Sequence, residues 1–251
     1  MTARLARIFR YPVKSIGGEE LAEVTLTPRQ PLPGDRRFGV LHQAALHHLT
    51  EGRLEKWLPK SAFLRGAAAA PLQAVRGGWH GETLTLTHPD LPPLSADPSA
   101  DPQALVDWVA PLWADSGKAP PARLVEGPQA LADVKQPFVS ILSLSSLAAL
   151  EQRLGRNLGT DRWRGNLWID GWEPFAEHDL RLHTLRIGEV VVKLTERIDR
   201  CPATSADTRT GRLDGDMPAD LQRLFDNTDF GIYGEVRQGG TIRPGDAVEI
   251  L

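Results

Sequence analysis

Apolar and polar residues alternate or cluster in short stretches along this 251-residue chain, and long helical periods are rare. Arg4 to Phe9 and Leu21 to Leu26 carry strand-like patterns, with Gly17-Gly18 punctuating the interval as a turn. Phe38 to Leu41, entered through Pro33-Gly34-Asp35, reads as a further strand. Thr83 to Thr87 alternates leucine with threonine, as a half-buried strand does. From Asp90 to Pro102 the chain holds four prolines, each lacking a backbone donor, and the stretch is expected to be loop. A helix is predicted from Gln103 to Trp113, before a second break at Ala119-Pro120-Pro121.

In the second half, Ser143 to Arg153 has leucines and alanines at helical spacing, with Ser143 or Ser145 as N-cap and Gly155 as the stop. Leu185 to Leu194 reads as strand, Gly188-Glu189 turn, strand, and Val190 to Val192 as a fully buried run. Leu221 to Phe225 predicts a helical turn. Gly231 to Leu251 breaks at Gly239-Gly240 and Pro244-Gly245-Asp246, which predicts closing strands. The pattern predicts a mainly β protein with few helices. Two parts are expected, 1–120 β-rich and 121–251 containing a barrel from about residue 125.

A hydrophobic content of 41% is enough for a substantial core, so the chain reads as globular. A single cysteine precludes an internal disulfide and any cysteine-rich zinc site. No signal core opens the sequence and no run approaches the roughly 20 apolar residues that span a bilayer, so a cytoplasmic protein without membrane association is expected. The net charge of -3 offers no general attraction to nucleic acid and leaves any anion site to local geometry.

The one cysteine, Cys201, lies in a polar, turn-prone stretch beside Arg200 and near Arg197. Positive neighbours favour a thiolate. Spacing alone leaves two readings open, an inert buried cysteine and a metal ligand or nucleophile. Further polar groups gather at turns: Lys14-Ser15, Arg36-Arg37, Ser143 to Ser146 at a helix start, and Arg164-Gly165-Asn166. Several donors joined to positive charge are what a phosphate requires, although each turn alone is equally a solvated loop or a cap. His42, His47 and His48, or His178 with Glu177, lack the helical spacing of a zinc protease. The chain also lacks a dinucleotide or P-loop glycine pattern and a nucleophile elbow. Trp163 and Trp168 are expected in the core.

Taken together, Tyr11-Pro12-Val13-Lys14-Ser15, Gly34-Asp35-Arg36-Arg37-Phe38, Arg164-Gly165-Asn166-Leu167, Pro174-Phe175-Ala176-Glu177, Arg200-Cys201-Pro202 through Asp207, and Gly240 to Asp246 resemble a MOSC protein. MOSC is named for the C-terminal domain of molybdenum cofactor sulfurase. The resemblance covers nearly the whole chain, including a MOSC N-terminal barrel domain over 1–120 before a MOSC domain over 121–251, and points toward the amidoxime-reducing branch. It implies a molybdenum-pterin cofactor with Cys201 as the metal ligand. Lys14, Ser15, Arg36, Ser143, Ser146, Arg164 and Asn166 would hold the cofactor, with Asp207 as an acid near the metal. It further implies a molybdenum-dependent reductase of N-hydroxylated compounds such as amidoximes and hydroxylamines. Electrons would come from a separate ferredoxin-like, flavoprotein or cytochrome partner. Pyridoxal phosphate binding is also associated with the family. A second reading from the same residues is a sulfur or cofactor carrier that uses Cys201.

Overall fold

Short strands are the commonest elements of the computed structural model, which describes residues 3–251. The first half contains β1 (Arg4–Arg10), β2 (Glu19–Glu20), β3 (Val24–Leu26), β4 (Phe38–His42), β5 (Arg76–His80), β6 (Thr83–His88), β7 (Leu91–Ala96), α1 (Pro102–Trp113) and β8 (Pro121–Glu126). The second half opens with β9 (Val139–Ser143), α2 (Leu144–Leu154), β10 (Leu167–Asp170), β11 (Thr184–Ile187) and β12 (Val190–Asp199). It continues through β13 (Ala206–Asp207), β14 (Arg212–Leu213), α3 (Met217–Phe225), β15 (Asp229–Gln238), β16 (Gly240–Ile242) and β17 (Val248–Ile250).

The main sheet runs β17-β11-β12-β15-β9-β10-β1-β2 and curls until its ends meet. Arg4 pairs with Ala247, and Leu5 N–H donates to the Asp246 carbonyl at 2.9 Å. Its interior is a continuous apolar cluster that includes Leu5, Ile8, Ile141, Ile169, Val192, Leu194 and Ile232. All neighbours in this sheet are antiparallel except β9 and β10, which α2 and its following loop connect as a parallel pair. Val190 and Val192 are buried while Val191 is half-buried. The expected doubly buried run is therefore an alternating strand, because an antiparallel curled sheet turns only one face inward.

The boundary expected at residue 120 does not divide the packing. β1 is a stave of the second half's sheet, since Leu5 and Ile8 place their side chains in that interior. β8 belongs to the first half, paired with β4 from Phe38↔Glu126 to His42↔Pro121. Around β4 and β8 a second core gathers Val13, Phe38, Leu86, Val109 and Trp113 under α1. The Asp101 side chain caps α1 by accepting from Ala104 N–H at 3.1 Å.

Asp90 to Pro102, expected as loop, contains β7. The prolines Pro92 and Pro93 are accommodated because β7 is the outer strand of β5-β6-β7 and pairs on one side only, with a register shift between Leu86 and His88. α2 begins and ends as predicted, with Ser143 capping and Gly155 in the left-handed conformation at φ 66°. The helical turn at Leu221 to Phe225 extends back to Met217, where the Asp216 side chain provides the cap.

Candidate functional site

A cavity of about 680 Å³ opens where the two halves meet, with Cys201 on its wall. β12 delivers the cysteine: the strand ends at Asp199, Arg200 N–H donates to the Thr228 carbonyl at 3.0 Å, and Pro202 starts a 3-10 helix over Pro202–Ser205. Within that helix the Thr204 hydroxyl and N–H both donate to the Cys201 carbonyl, at 2.9 and 3.1 Å. This pins the backbone while the residue stays half-buried and the thiol uncommitted. Arg162 braces the same loop, donating to the Thr204 carbonyl at 3.0 Å and holding Asp214 with a two-pronged ion pair.

Three predicted residues reach the cavity on strained backbone. Ser15, Arg36 and Arg164 adopt φ of 62°, 50° and 49°, a left-handed conformation that side chains other than glycine rarely take. Two of them tie the turns together. Arg164 donates to the carbonyls of Gly17 at 2.6 Å and Val13 at 3.2 Å, and Arg36 donates to the Arg164 carbonyl at 2.9 Å. Both guanidinium groups lie over the Tyr11 ring, 4.4 Å away for Arg164 and 5.1 Å for Arg36.

Eight basic and four acidic side chains line the cavity, so its local charge opposes that of the whole chain. Arg36 pairs with Asp35. Lys14 pairs with Asp133 at 2.6 Å and donates to the Leu131 carbonyl at 2.8 Å. Burial lowers the Lys14 ammonium, and Asp133, against its own desolvation, is held low by Lys14. Arg65, Arg164 and Arg200 have no carboxylate partner among the described residues. Desolvation, aided for Arg164 by Arg36, brings Arg164 and Arg200 down to about 10, which leaves both charged at neutral pH. Unneutralised guanidinium groups facing one cavity are an anion-binding arrangement.

Not every expected residue joins this site. Asn166 reaches its edge but is consumed structurally: its side-chain oxygen accepts from Ser140 N–H and hydroxyl, and its amide donates to the Phe9 carbonyl. It fastens β1, β9 and β10 together. Ser143 and Ser146 do not line the cavity. Ser143 caps α2, and the Ser146 hydroxyl donates to Glu177 at 2.8 Å while accepting from Phe175 N–H at 2.7 Å. Asp207 also faces elsewhere, because the 3-10 helix after Cys201 turns the chain away and the carboxylate accepts from Arg209 N–H and guanidinium instead. Sequence reasoning missed Arg65, Gln73, Asp133, Ser140 and Tyr233. Only Arg65-Gly66, another basic residue at a glycine turn, carried a readable signal.

Two family models match the chain, the MOSC N-terminal beta barrel domain over residues 2–119 and the MOSC domain over residues 129–249. The chain belongs to the MOSC family. Curated proteins similar to this MOSC chain are mitochondrial amidoxime-reducing components. Component 1 of Homo sapiens is 32% identical over 127 residues, covering 46% of this chain and 37% of the relative. Component 1 of Xenopus laevis is 27% identical over 162 residues, covering 60% and 47%, and component 2 of Rattus norvegicus 29% over 122 residues, covering 44% and 36%. The chain thus matches less than half the length of these relatives. Among solved structures, the YUAD protein from Bacillus subtilis is 11% identical with a TM-score of 0.48, covering 100% of this MOSC chain and 96% of its own. Among the described residues no helix is long and apolar enough to cross a membrane.

Proposed function

We propose that the cavity binds a molybdenum-pterin cofactor through the Cys201 thiolate, and that the protein reduces N-hydroxylated compounds with electrons from a separate redox protein. The observation that carries this reading is the position of the only cysteine: it stands with its thiol uncommitted on the wall of a cavity where Arg164 and Arg200 have no carboxylate partner among the described residues. The donor set fits the group. A soft thiolate suits molybdenum in a sulfur-rich sphere, and Arg164 with Arg200 supplies charge for the cofactor's phosphate. When bound, the cofactor supplies a two-electron couple, by which an amidoxime, two electrons and two protons become an amidine and water.

The chain's own residues position and shield. The ties among Arg36, Arg164, Val13 and Gly17 hold the anion-binding turns rigid before anything binds. Tyr233 lines the cavity, and burial raises its phenol, so the hydroxyl is protonated at neutral pH and able to donate to a substrate oxygen. A cytoplasmic setting, which keeps Cys201 reduced, belongs to the same reading.

Metal and pterin analysis of protein expressed in a molybdenum-replete host tests the reading directly. About one molybdenum per chain is expected, with reduction of benzamidoxime or hydroxylamine by an artificial donor. Cys201→Ser should match the melting temperature of cofactor-free wild type and lose both metal and activity, because a serine hydroxyl stays protonated and is a hard ligand. Full activity in that variant would refute the ligand role. Wild-type protein free of molybdenum but carrying a labile Cys201 persulfide would establish the sulfur-carrier alternative.

A further inference from the structure

The wall nearest the Cys201 loop comes from the first half of the chain and plays no part in the cofactor reading. Phe63 bridges to Leu41 and Leu64 N–H donates to the Val40 carbonyl at 2.9 Å, so the edge of β4 aims Arg65-Gly66-Ala67 into the cavity. A 3-10 helix over Ala70–Ala74 follows. It lies directly against the cysteine-bearing loop: a Cβ at Gly211 would meet Pro71 Cα at 2.7 Å, and Arg76 beyond the helix donates to the Thr208 carbonyl at 2.9 Å.

Gln73 projects from this helix into the cavity. The residue is 6% exposed, and its side-chain amide has no hydrogen-bond partner among the described residues. The amide faces the cavity rather than packed protein, so it is free to pair with what enters. Gln73 Nε2 sits over Gly66, where any Cβ would overlap it, so the absence of a side chain at residue 66 makes room for the amide beside Arg65. Arg65 is half-buried and has neither an ion-pair nor a side-chain hydrogen-bond partner among the described residues. A free guanidinium fork and a free amide donor lining one cavity, the amide seated over the residue that follows Arg65, are complementary to a carboxylate, whose two oxygens accept from both.

We propose that Arg65 and Gln73 form a substrate-recognition wall, and that the preferred substrates are N-oxygenated compounds bearing a carboxylate. This rests on the reductase reading above. Arg164 and Arg200, given above to the cofactor's phosphate, come from other turns, and Arg164 is tied to Arg36, which leaves this pair for a second anionic group.

The test compares benzamidoxime with 4-carboxybenzamidoxime on the molybdenum-loaded protein. Wild type is expected to show a KM lower by about tenfold or more for the carboxylate compound, as a charge-assisted contact gives. Arg65→Ala should erase that preference, raising KM for the carboxylate compound about tenfold beyond any change for benzamidoxime, with Arg65→Lys restoring part of it and Gln73→Leu acting in the same direction. Calorimetric binding of the product analogue 4-carboxybenzamidine, which needs no turnover, should weaken in parallel. No carboxylate preference in wild type, equal KM shifts for both compounds, or loss of pterin in Arg65→Ala would overturn the proposal. If loaded wild type reduced neither compound yet bound 4-carboxybenzamidine through Arg65, the reductase reading would fall and the carboxylate wall would stand.

Discussion

Glu177 shows how much one buried carboxyl decides. It has no exposed surface, one of its oxygens accepts from the Ser146 hydroxyl, and the other has no partner. Burial raises it from 4.5 to about 7, with its own backbone N–H and the Ser146 hydroxyl opposing the shift. A carboxyl raised in the folded state binds more protons there than in the unfolded chain. Its stabilising neutral form is complete below pH 4.5 and is lost as pH climbs through 7. Between pH 5 and 8, wild type should lose roughly 2.5 kcal/mol from this group. Glu177→Gln stays neutral and can still accept from Ser146, so its denaturant-unfolding free energy should fall less over that range. Equal slopes in the two proteins would show that the carboxyl is solvated.

At the scale of elements, β1 has the most far-reaching consequence. A fragment of residues 127–251 contains the whole MOSC domain match but lacks this stave, leaving β10 with an unpaired edge and the interior open where Leu5 and Ile8 belong. It should not give a cooperative unfolding transition by circular dichroism. In the full chain, Ile8→Ala should cost about 2 to 5 kcal/mol, as cavity-forming changes in a core do. A fragment that folded alone would remove β1 from the barrel's necessary parts. The same element marks the limit of what sequence pattern reveals. Local signals were legible: Leu-Thr alternation announced β6, and Ser143 with Gly155 bounded α2. Which sheet a strand joins is a long-range matter, so the apolar pattern of Arg4 to Phe9 identified a strand but not its partner. β7 was hidden because its prolines are tolerated only at an edge, and edges are set by topology. The site divides the same way. Lys14, Ser15, Arg36, Arg164 and Cys201 were legible because turn chemistry is local, whereas Ser143, Ser146 and Asp207 sit at equally polar turns whose inner side faces protein rather than cavity.

Across the whole molecule, a net charge of -3 surrounds a cavity with twice as many basic as acidic side chains. Anions are therefore attracted over the last few ångströms rather than from afar, and partly buried cations are screened by salt less than surface ones. Pyrophosphate, standing in for a cofactor phosphate, should bind cofactor-free protein with a shallow salt dependence. Arg164→Ala should weaken it by about 10- to 100-fold, the worth of a charge-assisted hydrogen bond. Unchanged affinity by calorimetry would reduce Arg164 to its ties with Gly17 and Val13. The pairing of Arg4 with Ala247 carries one further consequence, for biosynthesis. The ribosome delivers residue 4 long before residue 247, at about 5 to 20 residues per second, so the curled sheet cannot close until residue 247 has been delivered. The cavity's lining reaches from Lys14 to Tyr233, so the cavity too is assembled late, and any prosthetic group it takes enters only after Tyr233 has been delivered.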